Sequence, residues 1–340
     1  MSLNIENFDN LGISTRTIMA YSNIKMNLEF IFENFPVYDI DVPLTKKKRK
    51  PDIKKIKAPY GSIISLRRRN KFRGIITDPE VLEKENLKQK IGKKEKLTED
   101  DILKIKYFGK KENKKANDAE IYQLGIDTIM KKITYFLNQV TCIMSLGTKI
   151  VNIMIFESKM KIAGCKTEDQ AEKVVFLFYS YLSYLQNSYT TIIPNAEPEF
   201  ILETVMINVD FKLGFPIDRI QLDKLMKNKK YRDFINNSTY EPTLNTNVNI
   251  KMLSLRPHDF RFSCISFKGN NMMFIDKVKE NKYNTKKEIK NETTFLVFQS
   301  SKIIISGRYI DSMKESYNNF IEIIEKNRNL IEEKLFDCSS

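Results

Sequence analysis

The chain has 340 residues, 41% of them hydrophobic, and a formal net charge of +14. That is enough apolar material for a sizeable core or two small ones, yet no apolar run approaches the roughly 20 residues a membrane-spanning helix needs. A single histidine, His258, and four cysteines (Cys142, Cys165, Cys264, Cys338) without any C-x-x-C pair argue against a zinc site and read as buried thiols. The N-terminus, MSLNIENFDN, has no basic region followed by an apolar one, so it does not read as a signal peptide, and the expected setting is inside a cell.

In chain order, residues 15–27 alternate as a strand does, and residues 28–35 have helical spacing until Pro36 stops them. A basic block follows. Between Lys46 and Arg73 there are thirteen Lys or Arg against one acid, Asp52, so this segment holds nearly the whole net charge. Such a block points to phosphate contact or a nuclear-import-type patch, and the plainer alternative is a solvated loop. Its first part, KKKRKPDIKKIK (Lys46–Lys57), is too charged to bury, while GSIISL (Gly61–Leu66) reads as a strand leading into RRRNKFRG. From Thr77 to about Tyr135 the chain turns Lys- and Glu-rich, which predicts a solvated excursion rather than a second core. Within it, IYQLGIDTIMKKITYFL (Ile121–Leu137) has the spacing of one amphipathic helix, and NQVTCIMSLG (Asn138–Gly147) then reads as a strand feeding a hairpin.

The stretch from Asn152 to Leu185, NIMIFESKMKIAGCKTEDQAEKVVFLFYSYLSYL, is written a second time as TFLVFQSSKIIISGRYIDSMKESYNNFIEII from Thr294 to Ile324. Each copy runs from an apolar strand ending in Phe156 or Phe298, through a polar turn, to a second strand carrying Lys159 or Lys302. A glycine (Gly164, Gly307) and a helix follow. Thr167 with Gln170 is a capping-box signature for the first helix; Asp311 can cap the second, which is expected to run on through KNRNLIEEKLF to Phe336. A repeat of this size predicts two similar half-structures about a pseudo-twofold axis. In the second copy, Phe295, Val297, Ile303 and Ile305 should face the helix, while Leu296, Phe298, Ile304 and Ser306 face the other way. That other face is largely apolar as well, so another sheet, a subunit or a ligand surface is expected to cover it. Ser65-Leu66-Arg67 with Phe72-Arg73 also matches Ser254-Leu255-Arg256 with Phe260-Arg261, which carries the repeat into basic strand ends. Residues 266–292, containing KVKENKYNTKKEIKNE, read as a solvated insert in the second half.

This constellation resembles the TATA-box-binding protein family, whose repeats each end in a hairpin of the form LIF-x-SGK-x-V-x-TG followed by a long helix. IMIF-ES-KMKIAG (Ile153–Gly164) lacks one turn residue of that pattern, the glycine; FLVF-QSSKIIISG (Phe295–Gly307) fits it without a gap. TRTIMAYSNIKMNLEFIF (Thr15–Phe32) and ETVMINVDFKLGFPIDRIQL (Glu203–Leu222) are similar to the family's first strand and following helix, and Tyr240-Glu241-Pro242 matches a signature of the second repeat. Roughly half the chain is covered. The Lys/Asn/Ile-rich insertions resemble those of versions coded by large DNA viruses. The resemblance implies an α+β fold in which two pseudo-symmetric repeats form a saddle-shaped curved antiparallel sheet, with helices on the convex face, plus charged insertions. The repeats would occupy residues 11–186, with insertions at about 38–58 and 77–135, and residues 197–336, with an insertion at about 266–292. Either Gly61–Leu66 or Asn138–Gly147 could be the second strand of the first repeat.

The resemblance also implies the site. Phe156 and Phe298 match the family's intercalating phenylalanine at the end of the third strand of each repeat. Of the other wedge pair, Asn245 replaces one, and Tyr60 or Gln139 could stand for the second. Thr17 and Thr204 stand where the family has paired asparagines that bond base edges; a hydroxyl cannot form the same forked contact. Lys161, with Ala163, alters the groove-reading surface of the first repeat, while Ile304 and Ser306 preserve it in the second. Lys159, Lys166, Lys251 and Lys302 match phosphate-contacting positions, Arg308 compensates for Tyr309, and Arg67 and Arg256 close the basic strand ends.

The implied function is a non-enzymatic transcription initiation factor that needs no cofactor or metal. It would bend AT-rich promoter DNA through the minor groove and recruit a transcription-factor-IIB-like protein and DNA-dependent RNA polymerase. It would work in the nucleus or in a cytoplasmic viral factory, or be packaged in the virion. Sequence-nonspecific DNA packaging is the alternative. An accessory DNA-binding part of a DNA-repair or RNA-cleaving enzyme fits less well, because no catalytic domain, metal-ligand spacing or Gly-rich phosphate loop is found.

Overall fold

The computed structural model describes residues 6–39, 57–69, 71–75, 79–113, 116–130, 138–185, 187–243, 246–254, 260–269, 271–280 and 291–333. The first repeat contains β1 (Ile13–Ser22), β2 (Ile24–Met26), α1 (Leu28–Asn34), β3 (Ile63–Arg68), β4 (Lys71–Gly74), α2 (Pro79–Gly92), α3 (Glu99–Glu112), α4 (Asp118–Met130), β5 (Val140–Ser145), β6 (Ile150–Ile155), β7 (Lys159–Cys165) and α5 (Glu168–Tyr184). A short strand β8 (Tyr189–Thr191) links it to the second repeat, which contains β9 (Glu199–Lys212), α6 (Arg219–Met226), β10 (Ile235–Thr239), β11 (Asn247–Ser254), β12 (Phe260–Lys268), β13 (Asn271–Glu280), β14 (Asn291–Phe298), β15 (Lys302–Gly307), α7 (Ile310–Lys326) and α8 (Arg328–Ile331).

With β2, β4, α2–α4, β12 and β13 set aside, the order strand, helix, four strands, helix occurs twice: β1, α1, β3, β5, β6, β7, α5 and then β9, α6, β10, β11, β14, β15, α7. The fold is α+β with antiparallel strands. Gly61–Leu66 and Asn138–Gly147 both supply strands: β3 is the second, paired with β5, and β5 is the third, paired with β6. This corrects the match of Ser65-Leu66-Arg67 to Ser254-Leu255-Arg256. Leu66 lies in a second strand, whereas Ser254 ends β11, a third strand that pairs with β14.

The chain packs as two compact units that cut across the repeats: residues 1–23, 161–178 and 193–340 form one, and residues 24–160 and 179–192 the other. In the first unit, strands β10, β11, β14, β15, β9 and β1 are hydrogen-bonded in that order. Strand β9 is long enough for two neighbours on one edge. Its later residues pair with β15, as in Val209 with Ile305, and its earlier ones with β12, as in Ile201 with Cys264. The first part of the insert expected at residues 266–292 is therefore more than a solvated excursion: it belongs to the β12–β13 hairpin, which buries Ile265 and Phe267 fully, while residues 281–290 lie outside the described chain.

One face of this sheet is closed by α6, α7 and α8. Val248, Ile250, Phe295, Val297, Ile303 and Ile305 from the strands meet Met313, Tyr317, Phe320 and Ile324 from α7, with Phe295 and Phe320 stacked at 4.6 Å between ring centroids. Gly307 permits the close passage from β15 into α7, since a Cβ there would lie 2.4 Å from Met313 Cγ. Asp311 does not cap α7. The N-cap is Tyr309, without a side-chain bond, and Asp311 sits inside the first turn, where its charge complements the helix dipole. Nor does α7 continue: Asn327 interrupts it, its amide donating to Ile323 O and to the Tyr231 hydroxyl, before the short α8. Residues 334–336 lie outside the described chain.

In the second unit, β6, β5, β3 and β4 are neighbours in that order. Helix α1 is capped by Asn27, whose side chain accepts from Phe30 N, and buries Leu28, Ile31 and Phe32. The Lys/Glu-rich stretch is also more than an excursion. Helices α2, α3 and α4 enclose a core of their own from Leu87, Ile105, Phe108 and Ile129. Gly109 and Gly125 let α3 and α4 touch, because a Cβ on Gly125 would lie 2.0 Å from Ile105 O. The expected helix at Ile121–Leu137 starts earlier, at Asp118, and is described to Met130; residues 131–137 lie outside the description. Thr98 and Asp101 form a capping box on α3, and Lys90 completes it with bonds of 2.9 and 2.8 Å to the Asp101 carboxylate.

Candidate nucleic-acid interface

Antiparallel partners directly opposite one another share a face. In the first unit, the face away from α7 therefore carries Leu296 and Phe298 of β14, Ile304 and Ser306 of β15, Asn247, Asn249 and Lys251 of β11, and Met206, Asn208 and Asp210 of β9. Each of these is at least partly exposed, while the alternating residues are buried. The split expected for β14 and β15 is thus present: Phe295, Val297, Ile303 and Ile305 are 0% exposed, and Leu296, Phe298, Ile304 and Ser306 are not in the core. The open face mixes apolar surface with polar and charged groups. Ser306 Oγ donates to Asn208 Oδ1 at 2.7 Å, and Ser14 Oγ donates to Asp210 Oδ1 at 3.2 Å.

Phe156 behaves like Phe298, and both stand at the end of a repeat's fourth strand rather than its third, because β3 and β5 intervene before β6 and β10 and β11 before β14. It directly follows β6, continues the alternation with buried Val151, Ile153 and Ile155, and is itself only half-buried. The turn after it has two residues, closed by Phe156 N donating to Lys159 O at 2.9 Å, and Lys159 Nζ lies 5.7 Å from the centre of the Phe156 ring. The longer turn after Phe298 is closed by Ser301 N donating to Phe298 O, with Ser301 in the left-handed region at φ 66°. A non-glycine residue thus takes the position that the family's turn glycine would fill.

The central threonines are a correction. Thr17 pairs with Met206, but a register shift places Thr204 opposite Ile18, so the two threonines face opposite sides of the sheet. The Thr204 hydroxyl donates to Glu168 Oε1 at 3.3 Å, at the start of α5, and Thr17 is only 4% exposed. Thr204 is thus turned away from the open face, while Thr17 shares the face of Met206 but is largely covered there. Asn208 and Met206, which sequence reasoning missed, stand there instead; the alternation Met206, Asn208, Asp210, Lys212 along β9 was the available signal.

Among the cations, Lys159 and Lys166 are exposed and Lys161 is half-buried. Lys251 pairs with Glu292 at 3.0 Å, Lys302 with Asp210 at 3.4 Å, and Arg308 with Glu203. Lys251 holds the Glu292 carboxyl below its ordinary range, with Asn236 assisting against the opposing effect of burial. Burial pushes the Tyr309 hydroxyl up, and Arg308 beside it acts in the opposite sense. Arg67 is half-buried at the end of β3, facing Thr141 and Phe72. Arg256 and Asn245 lie outside the described residues. Of the two candidates for the other wedge, Tyr60 is 56% exposed, whereas Gln139 is 8% exposed and donates to Thr141 Oγ1. Among the described residues, no group of three or more His, Cys, Asp or Glu could hold a metal ion.

The order of elements and the half-open sheet define an α+β protein with an internally repeated, antiparallel architecture. Sequence comparison agrees with the resemblance carried by its hairpins. A protein of Acanthamoeba polyphaga mimivirus described as TATA-box-binding protein-like is 25% identical over 260 residues, which cover 69% of this chain and 62% of that relative. The chain therefore spans less than two thirds of the relative's length. Among solved structures, the Methanococcus jannaschii TBP is similar with a TM-score of 0.32 and 16% identity, over 54% of this chain and 80% of the other. No protein-family model matches.

Proposed function

We propose that this chain is a TATA-box-binding-protein-like factor that binds the minor groove of AT-rich promoter DNA and bends it. The observation that carries the proposal is the placement of Phe156 and Phe298: equivalent strands lead into a large ring kept out of the core, and the face that carries Phe298 sets apolar residues beside polar and charged ones. A minor groove offers acceptors and sugar hydrocarbon, which suits such a surface. Apolar rings inserted at base steps unstack them, and the cost is offset by the bent duplex touching more of the sheet. Lys159, Lys161 and Lys166 would meet phosphates. In the saddle arrangement that the resemblance implies, the helices would be left for a transcription-factor-IIB-like protein and RNA polymerase. The site of action would be the nucleus or a viral factory, and no described helix is long and apolar enough to cross a membrane.

The position of Thr204 favours a second reading, in which the same surface binds DNA without promoter choice, since its hydroxyl is directed to Glu168 rather than to base edges. Electrophoretic binding to AT-rich and scrambled duplexes at one salt concentration separates the two. A preference for the AT-rich duplex supports the promoter factor. Equal binding supports packaging, and no binding to either refutes both.

A further inference from the structure

Three cations of the second repeat that were expected to meet DNA each have a carboxylate beside them. Asp210 faces Lys302, Glu292 faces Lys251, and Glu203 faces Arg308. All three acids lie on the open face: Asp210 is opposite Ile304, Glu292 opposite Leu253, and Glu203 opposite Met19 and Phe262. Asp210 and Glu292 are further held by Ser14 and Asn236. None belongs to the buried cluster that closes the other side of the sheet. Their partners are partly exposed, with side chains 42, 45 and 41% accessible for Lys251, Lys302 and Arg308. By contrast, among the described residues Lys159, Lys161 and Lys166 have no carboxylate within ion-pair distance, and Glu157, close in sequence to Lys159, pairs with Lys25.

We propose that Asp210, Glu292 and Glu203 act as internal competitors for phosphate and set how tightly the second repeat holds DNA. This rests on the DNA-binding reading above. Exposed ion pairs are weak and exchangeable, so a phosphate can displace each carboxylate. The displaced acid nevertheless remains a few ångströms away and repels it. A cation already neutralised by its own carboxylate releases little counterion on binding, so it contributes little to the salt dependence. The first repeat therefore supplies most of the electrostatic affinity, and the acids restrain indiscriminate binding by the second.

The test is the slope of log affinity against log salt for the intact chain on a short labelled AT-rich duplex, with D210N and E292Q made singly and together. Each substitution should steepen the slope by about 0.9, the increment for one further phosphate neutralised, and the double variant should bind at least about tenfold tighter at low salt. In the parent, K159Q should flatten the slope by about 0.9 while K302Q changes it little, and K302Q should recover its full effect in the D210N background. These comparisons hold even if one acid variant folds poorly. Slopes and affinities unchanged by D210N and E292Q, with K302Q as costly as K159Q in the parent, would overturn the proposal and leave the DNA-binding reading intact. A parent chain that binds no duplex at any salt removes both.

Discussion

Phe295 and Phe298 sit three positions apart on β14 and differ in the face they occupy, so replacing each by alanine tests the placement of the sheet's two sides. Phe295 is fully buried and stacks on Phe320 at 4.6 Å. Truncating a buried Phe removes its transfer free energy and leaves a cavity, at a cost of about 3–5 kcal/mol, of which the lost ring pair accounts for roughly 0.5–1.5. Phe298, half-exposed opposite Asn247, has no comparable cavity to leave and should cost about 1 kcal/mol or less. With a urea slope of about 2–3 kcal/mol/M, Phe295→Ala should lower the unfolding midpoint by roughly 1–2 M and Phe298→Ala by a few tenths, followed by far-ultraviolet circular dichroism. Equal losses, or the larger loss at Phe298, would place Phe298 in the core and refute the assignment of faces.

Other expectations concern the three-helix insertion. Burial alone would raise the Asp101 carboxyl, but its bonds to Lys90 and Thr98 outweigh this and hold it at about 2, against an ordinary 3.8. Because the folded value is depressed, the stabilisation is present above about pH 4 and is lost as pH falls through 2. At neutral pH, Asp101→Asn should cost about 2 kcal/mol, and acid titration of α3 stability should lose that step; an unchanged titration counts against the pair. Gly125→Ala should destabilise the α3–α4 contact by about 1–3 kcal/mol, seen as faster hydrogen exchange in α4. Gly92→Ala, with nothing within 4 Å of the new carbon, should not have this effect.

The sequence and the structure agree best where a period of two is uninterrupted. β14 and β15 alternate cleanly, so both their faces could be read from residues alone. Capping signals were less decisive: Thr167 bonds Gln170 N as expected, but Gln170 reaches Lys166 N rather than the Thr167 amide. The turning away of Thr204 was not readable, because the shift opposite Thr17 and Ile18 depends on how two strands distant in sequence come into register. The β12–β13 hairpin was masked by its charged end, although its apolar start pairs with β9. The insertion's core was missed because Leu87, Ile105, Phe108 and Ile129 are shared among three helices, one or two to each. Of the candidate site, the strand-end rings and the cations could be named from the motif. Their carboxylate partners could not, since Asp210 and Lys302 meet only through strand pairing.

The central claim is that two rings outside the core bend DNA. End-to-end energy transfer on a duplex labelled at both ends, compared for the parent, Phe156→Ala and Phe298→Ala at saturating protein, tests it most directly. The account predicts that the parent shortens the end-to-end distance and that each substitution lengthens it again while thermal stability changes little. Parent-like bending by both alanine variants would contradict it.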